Sequence, residues 1–171
     1  MKNIETPKYG MKKRLTINAP LDKVWVVLAD FNNVYTWAPS VEHSHALNDK
    51  SQTEGAGRVC SIKGFGKVNE VITQWNENKG IEFTVSDLGP LKNTLCHFRI
   101  RAIDADRTQL DMTFDYDLKF GLFGKVLHQV VMEKRLNTSL THTLEAFKTR
   151  IETGKLLRPY MEHNRKPAVT L

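Results

Sequence analysis

The sequence predicts one α+β domain in which a curved antiparallel sheet of about seven strands wraps around a long C-terminal helix, with two short helices after the first strand. Two observations carry this prediction. Residues 41–119 alternate apolar and polar positions between short turn sequences, which is typical of consecutive strands. Residues 123–151 instead repeat apolar side chains every three or four positions, which indicates a helix that packs one face on that sheet.

The first predicted strand, residues 11–18, is followed by a helix start. Asn18 can cap a helix and Pro20 suits its first turn, so we expect a helix over 21–30. A second short helix is expected over 31–37, because the proline two residues later disfavours its continuation.

Six further strands are predicted between turn-forming sequences, at 41–47, 58–63, 67–75, 81–87, 93–103 and 109–119. The last has the most regular alternation, with one apolar face formed by Leu110, Met112, Phe114, Tyr116 and Leu118. In the C-terminal helix a single stripe is formed by Leu136, Leu140, Leu144, Phe147 and Ile151. Residues 120–131 are apolar on more than one face, so we expect this end to cover a cavity, with Leu127 and Val131 touching its ligand.

Composition excludes several functional classes. The 171 residues contain no run of about 20 apolar residues, and the basic N-terminus lacks the apolar segment of a signal peptide, so a cytoplasmic protein is expected. Cys60 and Cys96 fall in separate predicted strands and are interpreted as free thiols. Because no Cys/His cluster has the spacing of zinc ligands, we expect neither a metal nor another cofactor.

The net charge of +6 lies at the ends of the chain. Residues 1–14 carry +4 and residues 155–171 carry +3, so the part between them is close to neutral. A nucleic-acid-binding domain would need a basic face on its folded body, so no nucleic-acid partner is expected. We expect residues 1–153 to form a single ligand-binding domain, monomeric or homodimeric. The basic tail 154–171 is expected to be loosely ordered, and the basic ends allow transient contact with an anionic membrane surface.

Five strings occur in an order that resembles the helix-grip superfamily, which includes the START and birch-pollen-allergen-like proteins. They are INAPLDKVW at 17–25, DF…WAP at 30–39, GAGRV at 55–59, VNEV…WN at 68–76 and LGPL at 88–91. Within it, the sequence most resembles the bacterial polyketide cyclase/dehydrase and lipid transport family. The resemblance spans residues 11–152 and implies a helix-grip fold.

The resemblance also implies a cavity between sheet and helix for apolar or amphipathic molecules. We therefore expect binding or transport of a hydrophobic small molecule, such as a lipid, quinone or polyketide-like compound. One alternative is a cyclase or dehydratase that uses a cavity Glu or His as acid and base. Another is an interaction module in quinone handling or at the ribosome. The fold alone does not choose among them.

Four residues are candidates for catalysis. Glu70 shares a strand face with Val68 and Ile72, so it either acts as an acid or base inside a cavity or pairs with an arginine such as Arg99 or Arg101. His43 and His45 share one face of the strand 41–47, and either that face or the alternate one is buried. Tyr116 lies on the apolar face of its strand, where it either packs or donates its hydroxyl to a ligand.

The predicted ligand-binding set combines these polar residues with the aromatic and apolar side chains expected around the cavity. Phe65 belongs to it because the turn Gly64-Phe65-Gly66 resembles loops that gate the cavity in related proteins, although an ordinary hairpin turn is the alternative. Arg58 is a further candidate for a polar contact inside. The full set is Phe31, Trp37, His45, Phe65, Glu70, Phe83, Phe98, Met112, Phe114, Tyr116, Leu127 and Val131.

Overall fold

A computed structural model describes residues 7–86, 88–119 and 133–161 of the chain. After β1 come an α-helix and a 3-10 helix, then six strands and a long helix. In chain order they are β1 Tyr9–Ile17, α1 Leu21–Ala29, the 3-10 helix Phe31–Thr36, β2 Val41–Ala46, β3 Gly57–Ile62, β4 Gly66–Asn76, β5 Gly80–Ser86, β6 Leu91–Ala102, β7 Thr108–Leu118 and α2 Glu133–Thr153.

The strands form one antiparallel sheet in the order β1-β7-β6-β5-β4-β3-β2. From β2 to β7 each strand pairs with the next one along the chain, and β1 forms the other edge of the sheet by pairing with β7, where Leu15 lies opposite Leu110. The register shifts at three places, in the β2–β3, β4–β5 and β6–β7 pairs. Such bulges increase bending and twist. The curved sheet and its C-terminal helix confirm the predicted fold class.

Helix α2 packs the predicted stripe against the sheet. Leu136, Leu144, Phe147 and Ile151 are buried, and Leu140 is half-buried. The fully buried ring of Phe147 meets Trp37 edge-on, with ring centroids 4.9 Å apart, and so joins the helix to the segment after the 3-10 helix. The predicted helical residues 123–132, Leu127 and Val131 among them, lie outside the described residues.

The chain after α2 lies against the 3-10 helix. The Leu157 amide donates to the Thr36 carbonyl at 2.7 Å, and the Met161 amide donates to the Tyr35 hydroxyl at 2.7 Å. Within the described part of the chain, no helix is both long enough and apolar enough to cross a membrane.

Candidate functional site

A cavity of about 150 Å³ lies between the sheet, α2 and the two N-terminal helices. Its wall is largely apolar and aromatic because each contributing element turns its apolar face inward. The helices after β1 contribute Leu28, Phe31 and Val34. The central strands contribute Ile81, Phe83, Val85, Phe98, Met112 and Phe114.

The aromatic part of the wall is continuous. The ring of Phe31 meets that of Phe83 edge-on at 5.4 Å between centroids, and Phe83 stacks on Phe98 at 6.2 Å. Phe98 in turn lies 6.4 Å from Phe147 of α2. Such contacts fix the orientation of the rings and add to the stability that burial alone provides. The aromatic wall therefore joins the 3-10 helix to β5 and β6, and Phe147 of α2 packs against it.

Two charged residues of the wall form an ion pair. Arg58 of β3 and Glu70 of β4 are opposite each other in the strand register, and both are buried. The Arg58 Nε donates to the Glu70 carboxylate, and its Nη1 donates to the Phe31 carbonyl oxygen. The guanidinium carbon also lies 3.8 Å from the centroid of the Phe31 ring. The Glu70 carboxylate at the cavity wall is therefore paired with the Arg58 guanidinium and is not an isolated charge.

The partner of Glu70 differs from the arginines suggested by the sequence. Arg99 and Arg101 belong to β6 and are exposed. Strand β4 has β3 and β5 as its neighbours, so β6 lies two strands away. The pairing interpretation of Glu70 thus has the wrong arginine, because it took the partner from a strand that does not touch β4.

His43 and His45 are both exposed on β2 and do not line the cavity. The register shift between Val41 and His43 changes which residues point inward, so Val41 and Ser44 are buried instead. The Ser44 hydroxyl donates to the Asn32 carbonyl oxygen at 2.6 Å. The sequence predicts that His45 binds the ligand and makes both histidines candidates for catalysis. The structure corrects this, because the bulge turns both side chains away from the cavity.

Tyr116 is buried but is not part of the described cavity wall. Its ring stacks on that of Tyr9 from β1 at 5.6 Å between centroids. Burial, together with the negative charge of Glu133, raises the pKa of the Tyr116 hydroxyl to about 12. The hydroxyl therefore stays protonated at neutral pH and cannot serve as a base there.

Eight members of the predicted ligand-binding set line the cavity: Phe31, Trp37, Phe65, Glu70, Phe83, Phe98, Met112 and Phe114. Phe65 differs from the others because its residue is 45% exposed. It lies in the β3–β4 turn between Gly64 and Gly66, whose positive φ angles of 82° and 86° suit glycine. Phe65 thus contacts both the cavity and solvent.

The wall also contains residues that the sequence did not indicate. On α2 these are Ser139 and Thr143, which with Leu136 and Leu140 follow the spacing i, i+3, i+4 and i+7 of one helix face. Both are polar, so they do not belong to the apolar stripe that the sequence pattern indicates. The same spacing, extended from Leu136 and Leu140, is the signal that could have found them.

Neither cysteine fits the role of a nucleophile. Burial raises the pKa of the Cys60 thiol to about 12, and burial likewise raises that of Cys96, which lines the cavity, well above its usual range. Nucleophilic attack requires the thiolate, so both remain inert thiols. Among the described residues, no three His, Cys, Asp or Glu side chains are grouped closely enough to hold a metal ion.

Solved structures resemble this fold at low sequence identity. A START superfamily protein from Mycobacterium smegmatis matches with a TM-score of 0.70 and 16% identity over 85% of this chain and 99% of that one. The Zhui aromatase/cyclase from Streptomyces sp. R1128 matches with 0.67 and 18% over 85% and 97%. The Aha1 dimer from Colwellia psychrerythraea matches with 0.61 and 16% over 86% and 98%. These likenesses show the fold.

A search of the curated proteins found no match. The model of one protein family, described as "Polyketide cyclase / dehydrase and lipid transport", matches residues 11–152, which is most of the chain. This match confirms the resemblance seen in the local strings. The chain therefore belongs to the polyketide cyclase/dehydrase and lipid transport family.

Proposed function

We propose that the chain binds or transports a hydrophobic small molecule in the cavity between the sheet and α2. The observation that carries this proposal is the nature of the wall, which is apolar except for a few groups. The Arg58–Glu70 ion pair of the wall is satisfied internally. A site of this kind gains affinity from burial of apolar surface and uses few polar groups to orient its ligand.

The size of the cavity limits what it encloses. A volume of about 150 Å³ corresponds to a cavity that holds one benzene-sized molecule. A single ring or a short alkyl chain is therefore the part of the ligand that fits without movement of the wall. A larger ligand keeps its remainder outside or displaces a side chain of the wall, and Phe65 is the best placed for this because it is exposed.

A pair of matched variants tests the proposal. Val85 lines the cavity, whereas Val71 lies on the opposite face of the neighbouring strand and does not. Val85→Phe fills part of the cavity, and Val71→Phe adds the same ring outside it. Toluene and octan-1-ol are expected to raise the melting temperature of the wild type and of Val71→Phe, because they bind only the folded state. Val85→Phe should lose most of that shift.

Native mass spectrometry and solvent extraction of the purified protein provide an independent measurement. We expect a co-purifying apolar compound, depleted in Val85→Phe and retained in Val71→Phe. Empty wild-type protein that also gives no thermal shift with toluene or octan-1-ol would refute the proposal.

A second candidate function is a cyclase or dehydratase, and the buried pair is the observation that favours it. Arg58 and Glu70 bring a cation and a carboxylate together at the wall of an apolar cavity, where an enolate could be stabilised and a proton taken up. A substrate would have to displace Arg58 from the carboxylate. If turnover of an identified polyketide-like substrate is unchanged in Glu70→Gln, this candidate is excluded, whereas ligand binding by the apolar wall persists.

A further inference from the structure

A second depression, here called the basic groove, adjoins the cavity. Its two sides come from the ends of β2 and β3 and from the first turns of α2. It has a volume of about 620 Å³, and its lining residues comprise Pro39, Ser40, Lys63, Lys134, Arg135, Thr138, Ser139, His142 and Thr143.

The basic groove and the cavity are continuous. Ser40, Ser139 and Thr143 line both of them. On α2, Leu136 and Leu140 face the cavity alone, while Arg135 and His142 face the groove alone. Successive residues of a helix are about 100° apart, so these side chains follow one another around the helix axis. The surface of α2 changes from the apolar leucines, through the hydroxyl groups of Ser139 and Thr143, to the basic side chains.

The groove concentrates positive charge in a body whose net charge is close to zero. Residues 15–154 have a net charge close to zero, yet Lys63, Lys134 and Arg135 lie together in the groove, with His142 beside them. Among the residues that the structure describes, no acidic side chain lines this groove, and none of the four has an ion-pair partner within 4.0 Å. Three permanent cations are thus left facing solvent.

Lys63 is held at the boundary by the backbone. Its amide donates to the carbonyl oxygen of Ser40 at 2.9 Å, while the preceding residue, Ile62, lines the cavity. Ile62 is the last residue of β3 and Lys63 begins the turn that follows, so the change from an apolar to a cationic contact falls where the strand ends. The same separation therefore occurs on both sides of the groove, on α2 and at the end of β3.

We infer that the ligand is an amphipathic anion, whose apolar part enters the cavity and whose carboxylate or phosphate group lies in the basic groove among Lys63, Lys134 and Arg135. This inference rests on the proposed function and names its ligand class. Charge-assisted hydrogen bonds to such a group are stronger than neutral ones, and the groove supplies both cations and hydroxyl donors. The groove is also wide enough for a head group that the cavity cannot enclose.

The test compares three probes by isothermal titration calorimetry at low ionic strength. Octanoate carries the anion and the chain, octan-1-ol the chain alone, and inorganic phosphate the anion alone. The variants are Lys63→Glu and Arg135→Glu, with Lys12→Glu on the exposed side of β1 as a control that changes the net charge equally. All three positions are exposed, so folding is expected to persist in each variant.

Octanoate is expected to bind the wild type about tenfold tighter than octan-1-ol. Each groove variant should lose most of that preference, with the affinity for octan-1-ol unchanged, and Lys12→Glu should keep it. Equal affinities of octanoate and octan-1-ol would overturn the inference and leave the proposed function standing. The inference would also be overturned if the preference for octanoate over octan-1-ol survived in both groove variants, or if it fell equally in Lys12→Glu. Binding of phosphate alone, or of no probe, would overturn the inference, and failure of octan-1-ol also contradicts the proposed function.

Discussion

The guanidinium of Arg58 lies 3.8 Å above the ring of Phe31 while it donates to the buried carboxylate of Glu70. One cation thus joins strand β3, strand β4 and the start of the 3-10 helix, three elements that meet at the cavity wall. The arrangement places a charge in an apolar cavity without leaving it unpaired. The cavity can therefore remain suited to apolar ligands.

Removal of one partner of this pair should destabilise the protein strongly. Arg58→Met and Glu70→Leu are each expected to lower the free energy of unfolding by about 3 kcal/mol or more, because each leaves a buried charge without its partner. The double variant should lose less than the sum of the two. Urea denaturation measures all three.

The exposed pair Arg14–Asp111 is the control for this cycle. It also joins two adjacent strands, but its side chains are 68% and 32% exposed. Its removal should cost no more than about 1 kcal/mol. Additive losses for Arg58 and Glu70, or equal losses at the two pairs, would show that burial does not govern the interaction.

The alternation of apolar and polar residues predicts which side chains of a regular strand point inward. It fails where pairing with the neighbouring strand determines that direction. Strand β7 alternates between buried and half-buried residues from Leu110 to Tyr116, so Met112 and Phe114 could be assigned to the interior from the pattern alone. On β2 a bulge beside Val41 reverses the alternation and turns His43 outward. A bulge depends on the neighbouring strand, so the local pattern carries no signal for it.

The partner of Glu70 illustrates the same limit. Its inward direction follows from its own strand, whereas its pairing with Arg58 follows from the β3–β4 register. The basic groove likewise depends on contacts that the local sequence does not show. Lys63 and Arg135 are far apart in the chain, and each reads as an ordinary solvated residue until the fold brings them to one depression.

Gly80 should be sensitive to the smallest substitution. It begins β5 with a φ of 149°, and a Cβ there would overlap the Phe98 carbonyl oxygen and lie 3.0 Å from the Arg99 Cα. Both contacts are backbone atoms that cannot move aside. Gly80→Ala is therefore expected to lower the free energy of unfolding by about 3 kcal/mol or more.

Gly64 separates the effect of crowding from that of φ. Its φ is 82°, but no atom lies within 4 Å of an added Cβ. Gly64→Ala should cost only about 1 kcal/mol, the penalty of a left-handed conformation. Thermal unfolding of the two variants checks the difference, and similar losses would mean that backbone conformation alone accounts for Gly80.

Phe65 should control the rate at which a cavity ligand enters and leaves. Its side chain lines the cavity from an exposed turn, so Phe65→Ala removes a barrier to exchange and little enclosed surface. We expect stopped-flow rates for octan-1-ol to rise in both directions, with an affinity change of less than about tenfold. Ile103, which is equally exposed at 45% but does not line the cavity, is the control. A large loss of affinity without faster exchange would make Phe65 a contact residue only.

His97 should make stability depend on pH. Partial burial, reinforced by the positive charge of Arg99, lowers its pKa below that of a histidine in water. Between that lowered pKa and about 6.5 the unfolded chain binds a proton that the folded chain does not. The free energy of unfolding should therefore fall as pH decreases through this window.

Urea denaturation from about pH 5 to about pH 8 measures this dependence. His97→Gln should reduce the change in the free energy of unfolding over this pH range, because the group whose pKa differs between the folded and unfolded states is removed. A chemical-shift titration of the His97 ring provides the direct value. A ring that titrates at or above the ordinary histidine pKa would contradict the prediction.

The contact of Arg158 with the 3-10 helix should stabilise the wall of the cavity from outside. Its guanidinium donates to the carbonyl oxygens of Tyr35, Ala38 and Pro39 at 3.0, 3.3 and 3.4 Å, where that helix ends. Arg158→Ala is expected to lower the free energy of unfolding by about 1 to 2 kcal/mol, because it removes hydrogen bonds from a charged donor.

Arg158→Lys should recover only part of this loss, since an ammonium group cannot match the planar fork that reaches several carbonyls. Lys155→Ala, at an exposed position three residues earlier, should leave stability unchanged. Limited proteolysis after α2 should be faster in Arg158→Ala than in Lys155→Ala, because the segment then detaches from Tyr35 and Thr36. If Arg158→Lys is as stable as the wild type, charge near the helix end accounts for the contact and the fork geometry does not.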